Sequence, residues 1–378
     1  MKKTTLLGIG LLLVMTFSLC FGTFAAGKTG ALEDTVVVTA TTGSDLSWAE
    51  AVAPNFEKFI KEKYGKQVKV ITNGTQIPAL WAKFKTEWPN PSSDVYTFYT
   101  DMVVEGIHKG YWEKLSPYFS SKDIKGLGKE RVMKYQGYGI PYDSMYWGPV
   151  VRKDLVPFNL TSWNDLGDPR LKNRMTFDSA VKVGSGYIAV QAAGLVLKQD
   201  WTKWRKADGT LNKQAITPAL RLVRKWYQNA LTLTEGSGTI RPLLQRGESL
   251  ASCWWSYQTL AEKASGQNVE FVFLKEGALA ANGTACIMVP TRASHKNLAI
   301  EWIKYLYSKE GYQAAYDAKI YGNLAPRTDM ELPEIEKTLQ PPKNLKVYES
   351  TDFRTWASGD TVRADFLNLY TQIVIQGM

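Results

Sequence analysis

The sequence predicts an α/β protein of two lobes, each a mostly parallel sheet flanked by helices, joined by strands that cross between them. Three observations predict it. A chain of 378 residues exceeds one small core and suits two domains. The region that opens it alternates strand-like and helix-like patterns in β-α-β-α-β order, which builds a parallel sheet with helices on both faces. The stretch Gly139-Ile140-Pro141-Tyr142-Asp143-Ser144-Met145-Tyr146-Trp147-Gly148, bounded by turn residues and carrying strand formers, reads as the first passage from one lobe to the other.

Taken in order, residues 35–40 form a β-branched strand and residues 41–45 a polar turn whose Ser44 or Asp45 caps the next helix. That helix spans about 47–64, with Val52, Phe56, Phe59 and Ile60 on one face and Gly65 at its end. Residues 68–72 form a second strand, Asn73-Gly74-Thr75-Gln76 a turn, and Leu80, Trp81 and Phe84 mark a helix. Residues 94–99 form the third strand. Beyond the crossing stretch, residues 174–177 form a strand and residues 178–186 a glycine-bearing turn before a helix over 187–197. Helices follow near 217–231 and 240–246, and strands over 249–255, 269–274 and 284–289. The strand over 284–289 is read as the return crossing. An amphipathic helix over 296–308 follows, and the tail from Glu331 is Pro-rich and then helical.

Composition excludes some classes. With 44% hydrophobic and 22% charged residues the chain is globular rather than disordered. Lys2 and Lys3, an apolar run from Leu6 to Phe21 and small residues at Thr23, Ala25 and Ala26 make residues 1–26 a signal peptide cleaved near Ala25 or Ala26. Cys20 raises a lipoprotein alternative, which Leu19 before it disfavours. The chain is therefore expected to be exported and soluble. The formal charge of +10 falls to +8 without Lys2 and Lys3. The basic residues are dispersed, so no nucleic-acid partner is expected; the surplus reads as solubility or as attraction of an anionic solute. Cys253 and Cys286 remain after export, and an even count in an oxidising compartment favours one disulfide over two buried thiols. The 13 Trp and 19 Tyr are core residues first and stacking residues second.

With only His108 and His295 present, a His-based metal site or a Ser-His-Asp triad is not expected. No Gly-x-Ser-x-Gly elbow, P-loop or Cys-x-x-Cys occurs. A secreted hydrolase using paired carboxylates stays open as an alternative, as does the ligand-binding domain of a sensor. The positive signal lies in the polar turns that follow strands, where α/β sheets bind ligands and helix N-termini meet anions. Gly184-Ser185-Gly186 is the best of these turns, read equally as an ordinary capped turn.

The ordered set Tyr138 to Leu155, Ser162-Trp163-Asn164-Asp165-Leu166 with Asp168-Pro169, Gly247-Glu248 ahead of Cys253-Trp254-Trp255, Val289-Pro290 and Ala325-Pro326 resembles the extracellular solute-binding proteins of ABC importers. The branch it is most similar to holds the spermidine/putrescine, ferric-iron and aminoethylphosphonate binders. The resemblance implies the two-lobe periplasmic-binding-protein fold, type II-like. Residues 27–141 with 285–330 would form lobe 1, and residues 142–284 with 331–378 lobe 2. It implies a monomer without cofactor, metal or catalysis, which closes on a small-molecule ligand in the periplasm and meets permease subunits. It also implies that the crossing bends at Pro141 and Gly148 rather than breaks, with Tyr142 to Trp147 on the floor of the cleft.

Carried over turn by turn, the resemblance implies a ligand site of Thr42, Gly43, Ser44 and Trp48; Gly74, Thr75 and Gln76; Tyr99 and Thr100; Tyr142, Ser144 and Trp147 on the crossing; Ser179, Gly184 and Ser185; Trp254, Trp255 and Tyr257; and Asn282, Thr284 and Tyr321. Of Trp254 and Trp255, one faces the cleft and one the core, because strand side chains alternate. Polyamine binders carry acids where this chain has Thr284 or Ala285 and, near the second-lobe turn, Lys182. Ferric binders often use adjacent tyrosines, and this chain has no Tyr-Tyr pair. The expected ligand is a small anionic or zwitterionic organic solute, with a neutral sugar as runner-up.

Overall fold

The computed structural model describes residues 30–42, 44–181, 185–234, 236–321, 324–350 and 360–378. Residues 1–26 with Cys20, read above as a signal peptide, Gly43 and residues 182–184 lie outside them.

Two mixed sheets organise the chain. The first contains β1 (Thr35–Thr41), β2 (Lys69–Thr75), β3 (Val95–Tyr99), the short β4 (Ile140–Pro141) and, from much later in the chain, β11 (Ala285–Met288), in the order β2-β1-β3-β11-β4. The second runs β12-β10-β5-β8-β6-β7, built from β5 (Ser144–Arg152), β6 (Met175–Asp178), β7 (Ala230–Thr234), β8 (Ala251–Trp255), β10 (Ala278–Asn282) and β12 (Val347–Glu349), with β9 (Val269–Phe271) pairing β5. β1 pairs β2 and β3 in parallel, and β6 pairs β7 and β8 in parallel. The strands that carry the crossings, β5 and β11, pair antiparallel with their neighbours, whereas β10 is antiparallel to β5 and parallel to β12. A strand that arrives from the other lobe enters the sheet from the opposite end, so its direction reverses.

Helices cover both sheets. In the first lobe they are α1 (Ser44–Tyr64), α2 (Ile77–Glu87), α3 (Thr100–His108) and the short α4 (Ser121–Leu127) and α5 (Lys129–Met133). The second lobe has α6 (Gly186–Val196), α7 (Lys213–Tyr227), α8 (Ser237–Gln245) and α9 (Ser256–Ala264). After β11 come α10 (Lys296–Leu306), α11 (Lys309–Asp317), α12 (Glu334–Lys337) and α13 (Asp360–Tyr370). Spacing decides α1: Trp48, Val52, Phe56 and Ile60 recur every four residues, and all four are buried against α10 and the first sheet. By contrast α6 is buried along nearly its whole length, because α7, Trp204 and the 371–376 turn enclose it with the second sheet. Gly186 opens it: a Cβ there would stand 2.1 Å from the Ala180 nitrogen and 2.4 Å from the Ser179 carbonyl carbon, so only glycine permits that approach.

Three expectations change. Asn73 and Gly74 are not a turn: β2 continues through Thr75, with Gly74 paired to Ala40. Gly148 is not a bend but sits in the β5–β8 ladder opposite Trp254, and the chain instead leaves one sheet and joins the other at Tyr142–Asp143. Cys253 and Cys286 are free thiols rather than a disulfide. Cys253 pairs with Pro149 in the second sheet and Cys286 with Phe98 in the first, so each belongs to a separate core. Burial drives both thiols well above their usual range.

Candidate functional site

The strand registers fix where a ligand can sit. Tyr99, the last residue of β3, pairs with Ala285, the first of β11. Ser144, the first of β5, pairs with Asn282, the last of β10, and Trp255, the last of β8, lies opposite Trp147. The carboxyl ends of β1, β2 and β3 in one sheet and of β6 and β8 in the other therefore converge on the same crossing, the position at which α/β sheets bind ligands.

In the first lobe the expected residues fall at this end. Thr42 follows β1 and donates its N–H to the Thr75 carbonyl at 3.1 Å. Gln76, exposed, precedes α2. Tyr99 is 37% exposed. Ser44 opens α1. Trp48 is buried, its ring centroid 5.4 Å from that of Tyr142. The Trp48 indole nitrogen is enclosed without a hydrogen-bond partner. Burial, with the Asp45 carboxylate next in effect, holds the Tyr142 hydroxyl well above its usual range.

The crossing itself is a polar knot. Thr100 donates its N–H to the Thr284 carbonyl at 3.2 Å, and its hydroxyl meets that of Tyr135 at 3.0 Å. Thr284 binds the Asp143 carboxylate through both its N–H, at 3.1 Å, and its hydroxyl. Asp143 is fully enclosed, and desolvation raises its carboxyl to about 6 against the pull of the Thr284 hydroxyl and the Ala285 and Thr284 amides.

In the second lobe the residues divide. Ser185 donates its hydroxyl to Asp178 Oδ2, and Thr234 donates to Asp178 Oδ1 at 2.7 Å. Burial raises the Asp178 carboxyl, and these hydroxyls oppose the shift. Ser179 is buried, with its N–H on the Thr234 carbonyl at 3.2 Å. Trp255 and Tyr257 are half-buried at the start of α9. Trp147 and Trp254 stand apart from this group. Trp147 stacks on Trp163 at 5.7 Å inside the second core, and Trp254 is wholly enclosed under the Arg241 guanidinium. β5 is an interior strand of the second sheet, so Trp147 is committed to packing. Tyr321, half-buried, stacks near Tyr316 at 6.3 Å. Gly43 and Gly184 lie outside the described residues, as does the side chain of Asn282.

Sequence reasoning missed Asp143 and Tyr135 and read Asp45 only as a helix cap. Asp143 carried the one readable signal, a lone acid inside an otherwise apolar crossing. Among the described residues no group of three or more His, Cys, Asp and Glu is arranged to hold a metal ion.

Two α/β lobes joined by crossing strands, with strand ends meeting at the joint, define a two-lobe ligand-binding fold. Residues 55–343 match the family model of the bacterial extracellular solute-binding proteins, and the chain belongs to that family. Solved structures share the fold. An ABC transporter protein from Clostridium perfringens superposes with a TM-score of 0.64 at 21% identity, covering 90% of this chain and 99% of that one. The periplasmic binding protein AfuA from Actinobacillus pleuropneumoniae, with fructose-6-phosphate bound, gives 0.65 at 18% identity over 90% and 99%. The spermidine/putrescine binding protein PotD from Streptococcus pneumoniae gives 0.62 at 16% identity over 89% and 100%. No curated protein sequence matches the chain.

Proposed function

We propose that the protein captures a small organic anion or zwitterion between its lobes, outside the cytoplasmic membrane, and delivers it to the permease subunits of an ABC importer. It works as a monomer and does not turn the solute over. Residues 1–26 are removed as a signal peptide near Ala25 or Ala26. Lobe 1 comprises residues 27–141 with 285–330, and lobe 2 residues 142–284 with 331–378. A solute that touches both lobes only when they close stabilises the closed state by its differential affinity. Moving a population from 1% to 99% closed requires a preference of roughly 10⁴.

One observation carries the solute class. At Gln76, Tyr99 and Trp255 the helices α2, α3 and α9 begin without a side-chain cap, while at the starts of α6 and α8 the Asp178 carboxylate takes the Ser185 hydroxyl and the Gly236 amide. Elsewhere Asn212 caps α7, Ser308 caps α11, and the Glu33 carboxylate accepts from the Asn297 and Leu298 amides at the start of α10. An uncapped helix start offers N–H groups and the positive end of the helix dipole, which suits phosphate or carboxylate. Asp45 in the first turn of α1 suits the ammonium group of a zwitterion. The fructose-6-phosphate bound by AfuA is a solute of the anionic kind.

The test is a melting screen of the purified mature chain against fructose-6-phosphate, short phosphonates, amino acids, glucose and putrescine. Binding to the native state alone stabilises it by about 2.7 kcal/mol at a hundredfold excess over Kd. A rise with the anions or zwitterions is expected. A rise with glucose or putrescine and none with the others overturns the solute class.

A further inference from the structure

Asp143 stands between the end of β4 and the start of β5, and it is 1% exposed. Its Oδ2 accepts the Thr284 N–H at 3.1 Å and the Thr284 hydroxyl. Its Oδ1 accepts the Ala285 N–H at 3.1 Å, and its main-chain carbonyl accepts the Gly283 N–H at 2.9 Å. One residue of the outgoing crossing thus takes four hydrogen bonds from three consecutive residues of the return crossing. A third segment is tied in: Asp143 bridges Leu324, and Ala325 donates its N–H to the Tyr142 carbonyl at 2.6 Å.

The carbonyls left over in this knot are held from one side. Arg131, in α5, donates Nε to the Pro141 carbonyl at 2.6 Å and Nη1 to the Ala325 carbonyl at 3.0 Å, and braces Nη2 on the Tyr312 hydroxyl of α11 at 3.1 Å. Tyr135 donates to the Gly283 carbonyl at 2.9 Å. With Thr100 of α3 on the Thr284 carbonyl, every one of these holders belongs to elements packed around the first sheet. Towards the second sheet the ties include the Ser144–Asn282 ladder pair and the Tyr146 N–H on the Ser256 hydroxyl at 3.1 Å. Gly283 sits at φ +67, and a Cβ there would meet the Pro141 ring at 2.9 Å. The return strand therefore makes its tight turn where no other side chain fits.

We infer that Asp143 is the positioning residue of the hinge, its carboxylate fastening the two crossings into one block, joined through the main chain by the 324–325 segment, that travels with the first lobe. Rotation then falls on the far side of that block, between Asp143 and Tyr146 on the way out and at Asn282–Gly283 on the way back. This rests on the reading that the lobes close on a solute, but not on which solute. The groups whose charge bears on Asp143 are Asp45 of α1, its neighbour Tyr142, Arg131 and Tyr135 beneath it, Cys286 of β11 and Tyr307 after α10. Lys134 reaches the same turn beside Gly283.

The experiment is a pulsed electron-spin distance measurement between nitroxides on Lys58→Cys in α1 and Lys206→Cys in the second lobe, both exposed, in the mature chain without added solute. The native Cys253 and Cys286 are fully buried. With Asp143 and Thr284 intact, the distance distribution is expected to be narrow at pH 7.5. Asp143→Asn, which puts an amide donor against the Thr284 and Ala285 donors, should be broad. Thr284→Val, which keeps the side-chain shape but removes one donor, should broaden at pH 7.5, and Thr284→Ser should restore the narrow form. If Asp143→Asn does not fold, the Thr284 pair carries the comparison. Distributions that remain unchanged in Asp143→Asn and in Thr284→Val overturn the inference. Because no solute is present, that failure is separate from any failure of the melting screen.

Discussion

Trp254 and Trp255 are consecutive residues of β8, yet the first is fully enclosed and the second is half-exposed at the crossing end. Strand side chains alternate between faces. The Trp254 face packs with Val150, Ile240, Leu244 and Phe271, and the Arg241 guanidinium lies 5.8 Å from its ring centroid. Trp255 instead ends the strand where α9 begins.

The two tryptophans should therefore respond differently to truncation. Trp254→Ala is expected to cost about 3–5 kcal/mol in urea unfolding, since it leaves a large core cavity. Trp255→Ala should cost well under half of that and should alter the melting shift produced by the solute. Equal losses of stability, with the solute shift intact in both, would remove Trp255 from the site.

Gly186→Ala tests the close approach of α6 to the Ser179–Ala180 turn. The added methyl would overlap backbone atoms that have no room to retreat, so a loss of about 1–3 kcal/mol is expected. Gly238→Ala is the control. A Cβ at Gly238 of α8 would meet nothing within 4 Å, and stability should hold or rise by up to about 1 kcal/mol, the usual gain of alanine over glycine in a helix.

The cysteines predict a redox-blind protein. The folded mature chain should not react with a thiol reagent, two thiols should react after unfolding, and a reductant should leave the melting temperature unchanged. A bridge would contribute about 2–4 kcal/mol. A drop in melting on reduction would mean that the two cores are linked, contrary to their separate packing.

A pH dependence follows from Asp143. Its folded carboxyl lies near 6 against 3.8 for the free group, so the folded state holds that proton more tightly than the unfolded one. Its contribution to stability is greatest below about 4 and is lost as pH rises through about 6. The stability advantage of the wild type over Asp143→Asn should therefore shrink by up to about 3 kcal/mol across that window. Denaturant unfolding of both proteins at pH 4, 5, 6 and 7 reads it. A constant difference would mean that Asp143 titrates normally.

The elements were legible where pattern and packing agree. The four-residue recurrence in α1 and the β-branched run of β1 state their own conformation, and both occur as expected. The crossing was legible as a region and not as a point. Pro141 and Gly148 are the residues that look like bends, but Gly148 is held flat by its ladder partner Trp254. The sheets are exchanged at Tyr142–Asp143, whose significance depends on Thr284 and Ala285 more than 140 positions away. Trp147 misled for a related reason: a local pattern marks it as a strand residue but does not reveal that β5 is interior. Asn73 and Gly74 carry turn chemistry, and pairing with Thr39 and Ala40 overrides it. Long-range pairing decides each of these cases, and local composition does not encode it.

The place of β11 between β3 and β4 also sets the order in which the molecule can be assembled. Met288 pairs with Tyr96, and Ile287 with Ile140. A ribosome or export channel delivers β3 and β4 long before the strand that joins them. Until residues 285–288 emerge, β3 has an open edge, and the loop that must close encloses nearly the whole of the second lobe. Contacts this distant in sequence are slow to form, because chain entropy must be surrendered first. The first sheet to be begun therefore stays open until most of the second has been made, and a chain stopped before β11 should present a sticky sheet edge rather than half of a working protein.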